Sequence, residues 1–268
     1  MSRPITLITG ASSGIGADLA RVFAQHGHDL ALVARSKDRL EALADEIEAG
    51  LIDKGRRLRP LIIACDLTTA DAPKTIAAAL AAADAVPQIL VNNAGYGLLG
   101  DVAELDPAAQ LGIIDLNIRA LVALTLQFLP ALRAGRGKIL NVASVVAFFP
   151  GPHMAIYYAS KAFVLSFGLA LGHELAGAGV TVTTLCPGVT LTGFQTRAGL
   201  SADLGIMKFG GASAASVAAA GYAGLMAGRR TIIPGFANKF LCFFAPLIPS
   251  AMLLPVIAAM QKSKSRQG

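Results

Sequence analysis

The stretch Ile5-Thr6-Leu7-Ile8-Thr9-Gly10-Ala11-Ser12-Ser13-Gly14-Ile15-Gly16 decides the fold. Its first five residues, all aliphatic or β-branched, read as a strand. Glycines then turn the chain, and an apolar helix starts at once, running from Ile15 to His26. A strand, a glycine turn and a helix in immediate succession form the phosphate end of a dinucleotide-binding βαβ unit. Glycine lets the backbone turn tightly and approach a pyrophosphate, whose charge is stabilised by the free N–H groups and positive end of the helix. Gly10, Ser12, Ser13, Gly14, Ile15 and Gly16 are therefore the expected diphosphate cradle.

Outward from this unit the same rhythm repeats. Apolar runs at Asp29–Ala34, Leu61–Cys65, Gln88–Asn92, Lys138–Val142, Val180–Leu185 and Thr231–Ile233 read as further strands. Between them Lys37–Ala49, Pro73–Ala83, Pro107–Leu132, Met154–Ala176 and Ala212–Met226 have helical length and composition, with Asp106 a ready N-cap before Pro107. Alternating strands and helices predict an α/β chain with right-handed crossovers. The expected architecture is a single-domain Rossmann fold, a doubly wound seven-stranded parallel sheet with helices on both faces, over residues 1–235. Residues 236–268 form an apolar C-terminal arm with a basic tail. With 54% hydrophobic and only 15% charged residues among 268, there is ample material for a sheet buried on both sides.

The second strand ends at Arg35, where an NAD site usually carries an acid for the ribose 2′-hydroxyl. A guanidinium instead offers bidentate, charge-assisted bonds to a 2′-phosphate, which makes NADP(H) the expected cofactor. The net charge of +6 comes from dispersed basic residues without interleaved aromatics or any Trp, so no nucleic-acid partner is expected. Three widely spaced cysteines, Cys65, Cys186 and Cys242, suit a reducing compartment. Met1 to Ile8 runs straight into a strand without a secretory pattern, and a cytoplasmic location is expected.

Further along stand Asn92-Asn93-Ala94-Gly95, Asn117, Ser144 and Tyr157-x-x-x-Lys161. Singly each has a plain alternative: a helix tyrosine packs, a serine after a strand caps, an asparagine faces water. Together with the glycine loop, and in this order, they make the chain resemble the short-chain dehydrogenase/reductase family over roughly residues 4–235. The resemblance implies hydride transfer between NADP(H) and a carbonyl or alcohol, with Tyr157, Lys161, Ser144 and Asn117 as the catalytic set. Tyr157 and Lys161, four residues apart on one helix, share a face. A free tyrosine titrates near pH 10, so the expectation is that Lys161 and the oxidised nicotinamide stabilise the phenolate; a drop of roughly two to three pH units requires about 3–4 kcal/mol. Tyr158 is a rival at the wrong spacing.

By the same resemblance Ser144 bonds the substrate oxygen, Lys161 also bonds the nicotinamide ribose, and Asn117 holds a water on the proton path. Asp66, with Leu67, meets the adenine, although Asp66 could equally cap a helix. Asn93, Ala94 and Gly95 line the cofactor, Pro187-Gly188 bends over the nicotinamide, and Thr190 and Thr192 contact its amide or a phosphate. Subunits in this family pair through the long helices, which implies a homodimer or homotetramer.

The residues between Ser144 and Tyr157 offer no fixed charge beyond the lone His153, read as a loop residue, so a small hydrophobic ketone or aldehyde is favoured as substrate. A 3-oxoacyl-thioester reductase and a non-catalytic NADP-binding scaffold are the alternatives. Phe240 to Met260 carries no charge, yet Pro246, Pro249 and Pro255 argue against a spanning helix. The arm is expected to cover the cleft or a partner subunit, or, through residues 240–260, to make peripheral contact with a membrane.

Overall fold

The computed structural model describes residues 2–52, 59–191 and 211–261. In chain order the strands are β1 (Arg3–Thr9), β2 (Leu30–Ala34), β3 (Leu61–Ala64), β4 (Ala85–Asn92), β5 (Lys138–Val142), β6 (Thr181–Leu185), β7 (Thr190–Leu191), β8 (Ala212–Ser213) and β9 (Thr231–Ile232). All but β7 and β8 join one parallel sheet of seven strands in the order β3-β2-β1-β4-β5-β6-β9, while β7 and β8 pair with each other. Each predicted strand is present, with ends shifted by a few residues. The strand order reverses between β1 and β4, and ligands of such sheets bind in the crevice beyond the carboxyl ends there.

Period-two alternation sends neighbouring side chains of β1 to opposite faces. Ile8 packs with Leu19, Phe23, Leu32 and Val217 on one side. Leu7 packs with Val33, Ile76, Leu124 and Leu171 on the other. The first face is covered by α1 (Gly14–Gln25) and α2 (Lys37–Ile52), the second by α3 (Ala72–Ala82) and two later helices. Register is tight: Leu7 pairs with Ala31 on β2 and with Leu90 on β4.

The helix expected over Pro107–Leu132 is instead three pieces: α4 (Pro107–Ile114), a wide π turn (Asp115–Ala120) and α5 (Leu121–Ala134). Asp106 caps α4 as expected, its carboxylate accepting from Ala109 N at 2.7 Å. The π turn carries Asn117 and seats its side chain in the interior, 1% exposed. Such turns insert one residue into a helix and often mark functional positions. Next come α6 (Ala155–Glu174), which holds Tyr157 and Lys161, and α7 (Ala214–Met226).

The uncharged run of the arm folds as α8 (Phe236–Phe244), a short 3₁₀ turn (Ala245–Leu247) and α9 (Ser250–Gln261). Pro246 and Pro249 fall in the break, as expected. Pro255 does not break α9 but lies inside it, forfeiting one backbone hydrogen bond.

Gly168 sets how closely α6 approaches β6, since a Cβ there would overlap Thr184 Oγ1 and stand 3.3 Å from Asn141 Nδ2. Gly168→Ala should therefore lift α6 from the sheet and cost about 1–3 kcal/mol, the usual penalty of overpacking. Urea unfolding measures this; an unchanged midpoint would show that α6 has slack.

Candidate active site

The carboxyl ends of the strands and the arm enclose a cavity of about 1070 Å³. Its floor is the glycine loop. Gly10 and Gly14 adopt φ of 65° and 57°, the left-handed region open to glycine. A Cβ on Gly10 would lie 2.8 Å from Ala94 Cα, and one on Gly16 would overlap Gly10 O and the Asn93 amide. The loop is clasped to the end of β4. Asn93 Nδ2 donates to Thr9 O at 2.9 Å and to Gly10 O at 3.2 Å. Thr9 Oγ1 accepts from Asn93 N and Ala94 N at 3.0 and 3.1 Å and donates to Val91 O at 3.1 Å. Ser13 enters α1 in extended backbone without capping it by its side chain.

Every expected cofactor residue among those described lines this one cavity: the six of the glycine loop, Arg35, Asp66, Leu67, Asn93, Ala94, Gly95, Pro187, Gly188 and Thr190, with Tyr157 and Lys161. Thr192 lies outside the described residues. Asp66 does not cap α3, which begins six residues later behind Asp71. Its carboxylate closes a turn instead, accepting from Thr68 N at 3.0 Å and Thr68 Oγ1 at 2.8 Å; the Thr68 N–H holds its pKa below the usual range. Exposed Arg35 is joined at the wall by Ser36 and Arg39. Sequence reading passed over Arg39, although the i, i+4 spacing from Arg35 was a signal for it.

At the other end Ser144, Tyr157 and Lys161 are all buried. Ser144 hydrogen-bonds the Tyr157 phenol, lies 3.3 Å from Pro187 O as donor and accepts from Val146 N at 3.4 Å. Lys161 Nζ donates to Val142 O at 2.9 Å and stands 5.9 Å from the centroid of the Tyr157 ring. Burial governs both groups, disfavouring charge on each. It pushes the phenol up to about 12, against the opposing pull of Ser144, and the ammonium down to about 8.

Asn117 is close by but behind the wall. Its Oδ1 accepts from Tyr96 N at 3.0 Å, and Nδ2 donates to Tyr96 O and to Ser160 Oγ, both at 3.0 Å. Both amide hydrogens are thus spent on protein groups, and the side chain ties β4's following loop to α6 rather than presenting donors to a water. A Cβ on Gly95 would come within 2.9 Å of Asn117 Oδ1 and 3.3 Å of Lys161 Nζ, so this glycine admits both. Tyr158 meets Tyr157 edge to face but has its own partner: its hydroxyl accepts from Gln261 Nε2 of α9, and burial raises its pKa well above the usual value. His153 pairs with Asp101 and is a loop residue outside the cavity wall.

Residues 4–202 match the sequence model of the short chain dehydrogenases. The chain belongs to that family. This short-chain dehydrogenase is 39% identical over 190 residues to the sulfoacetaldehyde reductase of Chromohalobacter salexigens, covering 70% of this chain and 72% of that one. Its fold superposes on a short-chain dehydrogenase from Sphingobium yanoikuyae in complex with NADPH with a TM-score of 0.79 and 32% identity, covering 99% and 98% of the two chains. It also superposes on the bulky-bulky ketone specific alcohol dehydrogenase from Comamonas testosteroni, with a TM-score of 0.75, 28% identity and 100% and 98% coverage. The chain is accordingly an oxidoreductase that uses a nicotinamide cofactor. The cradle fits one: the glycines clear the space a Cβ would fill, and the wall is continuous from Arg35 to Tyr157.

Sequence reading expected the arm over the cleft or a partner subunit but did not single out Asn238 and Gln261, which belong to no motif. A Cβ on Gly188 would lie 2.5 Å from Asn238 Nδ2, so α8 sits directly on the turn after β6.

Lys161 makes a prediction about stability. The unfolded lysine keeps its proton up to 10.5, whereas the folded one has shed it above about 8. Between these values the unfolded state binds more protons, so this group's contribution to stability rises with pH, by about 3 kcal/mol across the window. Denaturant unfolding of the cofactor-free protein from pH 7.5 to 10.5 should show a rise that Lys161→Met lacks. Parallel curves for the two proteins would refute the depressed pKa.

Proposed function

We propose that this dehydrogenase interconverts an apolar ketone or aldehyde and the corresponding alcohol with NADP(H), Tyr157 exchanging the proton. The observation that carries the reading is a single cavity with two cations, Arg35 and Arg39, at one end, Ser144 and Tyr157 in the middle, and Val146, Phe149, Leu253 and Ile257 beyond. Paired guanidiniums at the end of β2 suit a 2′-phosphate, which two solvated charges and planar forks can bind. The nicotinamide, when bound, supplies or accepts the hydride.

The Tyr157 phenol, like any tyrosine, is protonated at neutral pH, the state needed to give a proton to a carbonyl oxygen, and burial raises its pKa further. Ser144, already bonded to that phenol, is placed to donate to the same substrate oxygen and to stabilise the developing alkoxide. Lys161, reaching between Gly95 and Val142, is placed to hold the ribose. Asn117 and Tyr96 brace this end against α6 through Ser160. The apolar wall contributed by α8 and α9 gives a carboxylate or phosphate nothing to pair with, which favours a hydrophobic substrate; the likeness to a dehydrogenase of bulky ketones runs over the full chain and supports this. Leu126, Phe163 and Leu169, exposed on α5 and α6, fit the pairing of subunits into a homodimer or homotetramer.

Tyr157→Phe should lower kcat by at least about a hundredfold, the lower range for loss of a general acid, while NADPH binding persists. Retained turnover with any accepted carbonyl would remove Tyr157 from its role. Arg35→Asp, alone or with Arg39→Asp, should shift the ratio of kcat/KM from NADPH toward NADH. An unaltered ratio in the double variant would show that neither arginine reads the phosphate.

A further inference from the structure

The charge of this protein is unevenly divided. Asp203 is its last acidic residue, and seven of its 23 basic residues follow it, leaving 16 basic against 17 acidic residues in 1–203. Residues 204–268 therefore carry +7 and the rest −1. The same C-terminal region bears the largest apolar exposure. Phe236 is 85% exposed, Leu247 69%, Phe243 68% and Met252 66%, while Cys242, Ala245 and Ile257 take the inner side of the arm. Single exposed hydrophobics are ordinary, but a run of them along two successive helices marks an interaction surface.

We propose that α8 and α9 dock the enzyme flat on an anionic lipid surface. Their exposed phenylalanine and methionine side chains would seat among the acyl chains, with the flanking basic residues on lipid phosphates. Nine and twelve residues are too few to span a bilayer, but suit helices lying in its headgroup region. Lys239 lies on α8, and it is one of seven basic residues in 204–268, a stretch with no carboxylate. Such a surface matches negative headgroups. A second copy of this chain is a poorer occupant, because a symmetric pair places the same like-charged region on itself.

The docked face also borders the cavity. Leu241, Val256 and Met260 are exposed and at the same time line its wall. An apolar substrate dissolved in the leaflet would meet the cavity at that edge, a consequence that rests on the reaction proposed above, whereas the docking itself does not.

Co-sedimentation of the full chain with vesicles of phosphatidylcholine alone, and of phosphatidylcholine with phosphatidylglycerol, tests the docking. The protein should pellet with the anionic vesicles only, and less as salt rises through the range in which charges are screened. Phe236→Ser with Phe243→Asp, at positions outside the cavity wall, should keep the wild-type melting temperature and stay in the supernatant. Lys262→Gln, Lys264→Gln and Arg266→Gln together should weaken binding roughly a hundredfold, about fivefold per charge. Wild-type protein that ignores anionic vesicles, or a phenylalanine variant that binds as well as wild type, overturns the proposal. A wild-type dimer that the phenylalanine variant converts to monomer in sedimentation velocity, without vesicle binding, assigns the patch to a second copy and overturns it too. Turnover enters none of these readouts, so their failure is distinct from failure of the assigned reaction.

Discussion

The Thr9 hydroxyl and the Asn93 amide join the carboxyl ends of β1 and β4, the two strands between which the sheet reverses its order. A doubly wound sheet opens at that point because the connections leave in opposite directions, and the opening becomes a binding crevice only if its two lips are held in register. Five short-range hydrogen bonds hold them here, each between groups that would otherwise be buried without partners. Gly10 and Gly16 are consequences of the clasp: the Asn93 side chain and the Ala94 backbone occupy the space where their Cβ atoms would be. The same clasp delivers Gly95 to Lys161 and Asn117, so the phosphate end and the reactive end share one mechanical joint.

Burial, more than pairing, sets the electrostatics at the reactive end. Two ionisable groups on one turn of helix suggest an ion pair, and a phenolate beside an ammonium would be one. In the folded chain each finds a neutral partner, Ser144 for Tyr157 and the Val142 carbonyl for Lys161, while the interior disfavours both charges. The site as built stores a protonated phenol and an ammonium that is easily discharged.

The arm shows how a region without a motif can still complete a site. Its inner side supplies apolar wall, the contact of Asn238 with Gly188, and the Gln261 bond to the Tyr158 hydroxyl. Its outer side leaves aromatic surface exposed on the helix that carries Lys239. One element thus faces the substrate space inward and, as proposed, a lipid surface outward.

Residues 5–16 determined the fold by themselves, because a strand, a glycine turn and a helix leave the backbone few alternatives, and local periodicity placed the other strands within a few residues. The residue set of the site was equally legible, since Arg35, Ser144, Tyr157 and Lys161 each follow a strand or share a helix face that sequence spacing defines. What spacing cannot carry is the balance of distant contacts. The π turn at Asp115–Ala120 carries Asn117 to partners outside its own helix, Tyr96 and Ser160, which bond its side chain at once. The raised pKa of Tyr157 depends on desolvation by everything packed around it, and the seating of the arm depends on contacts between chain segments about 100 residues apart, such as the hydrogen bond from Gln261 to Tyr158. Local sequence dictates which residues meet the backbone's own rules; only the closed tertiary structure decides what surrounds them, and surroundings set charge, partner and access.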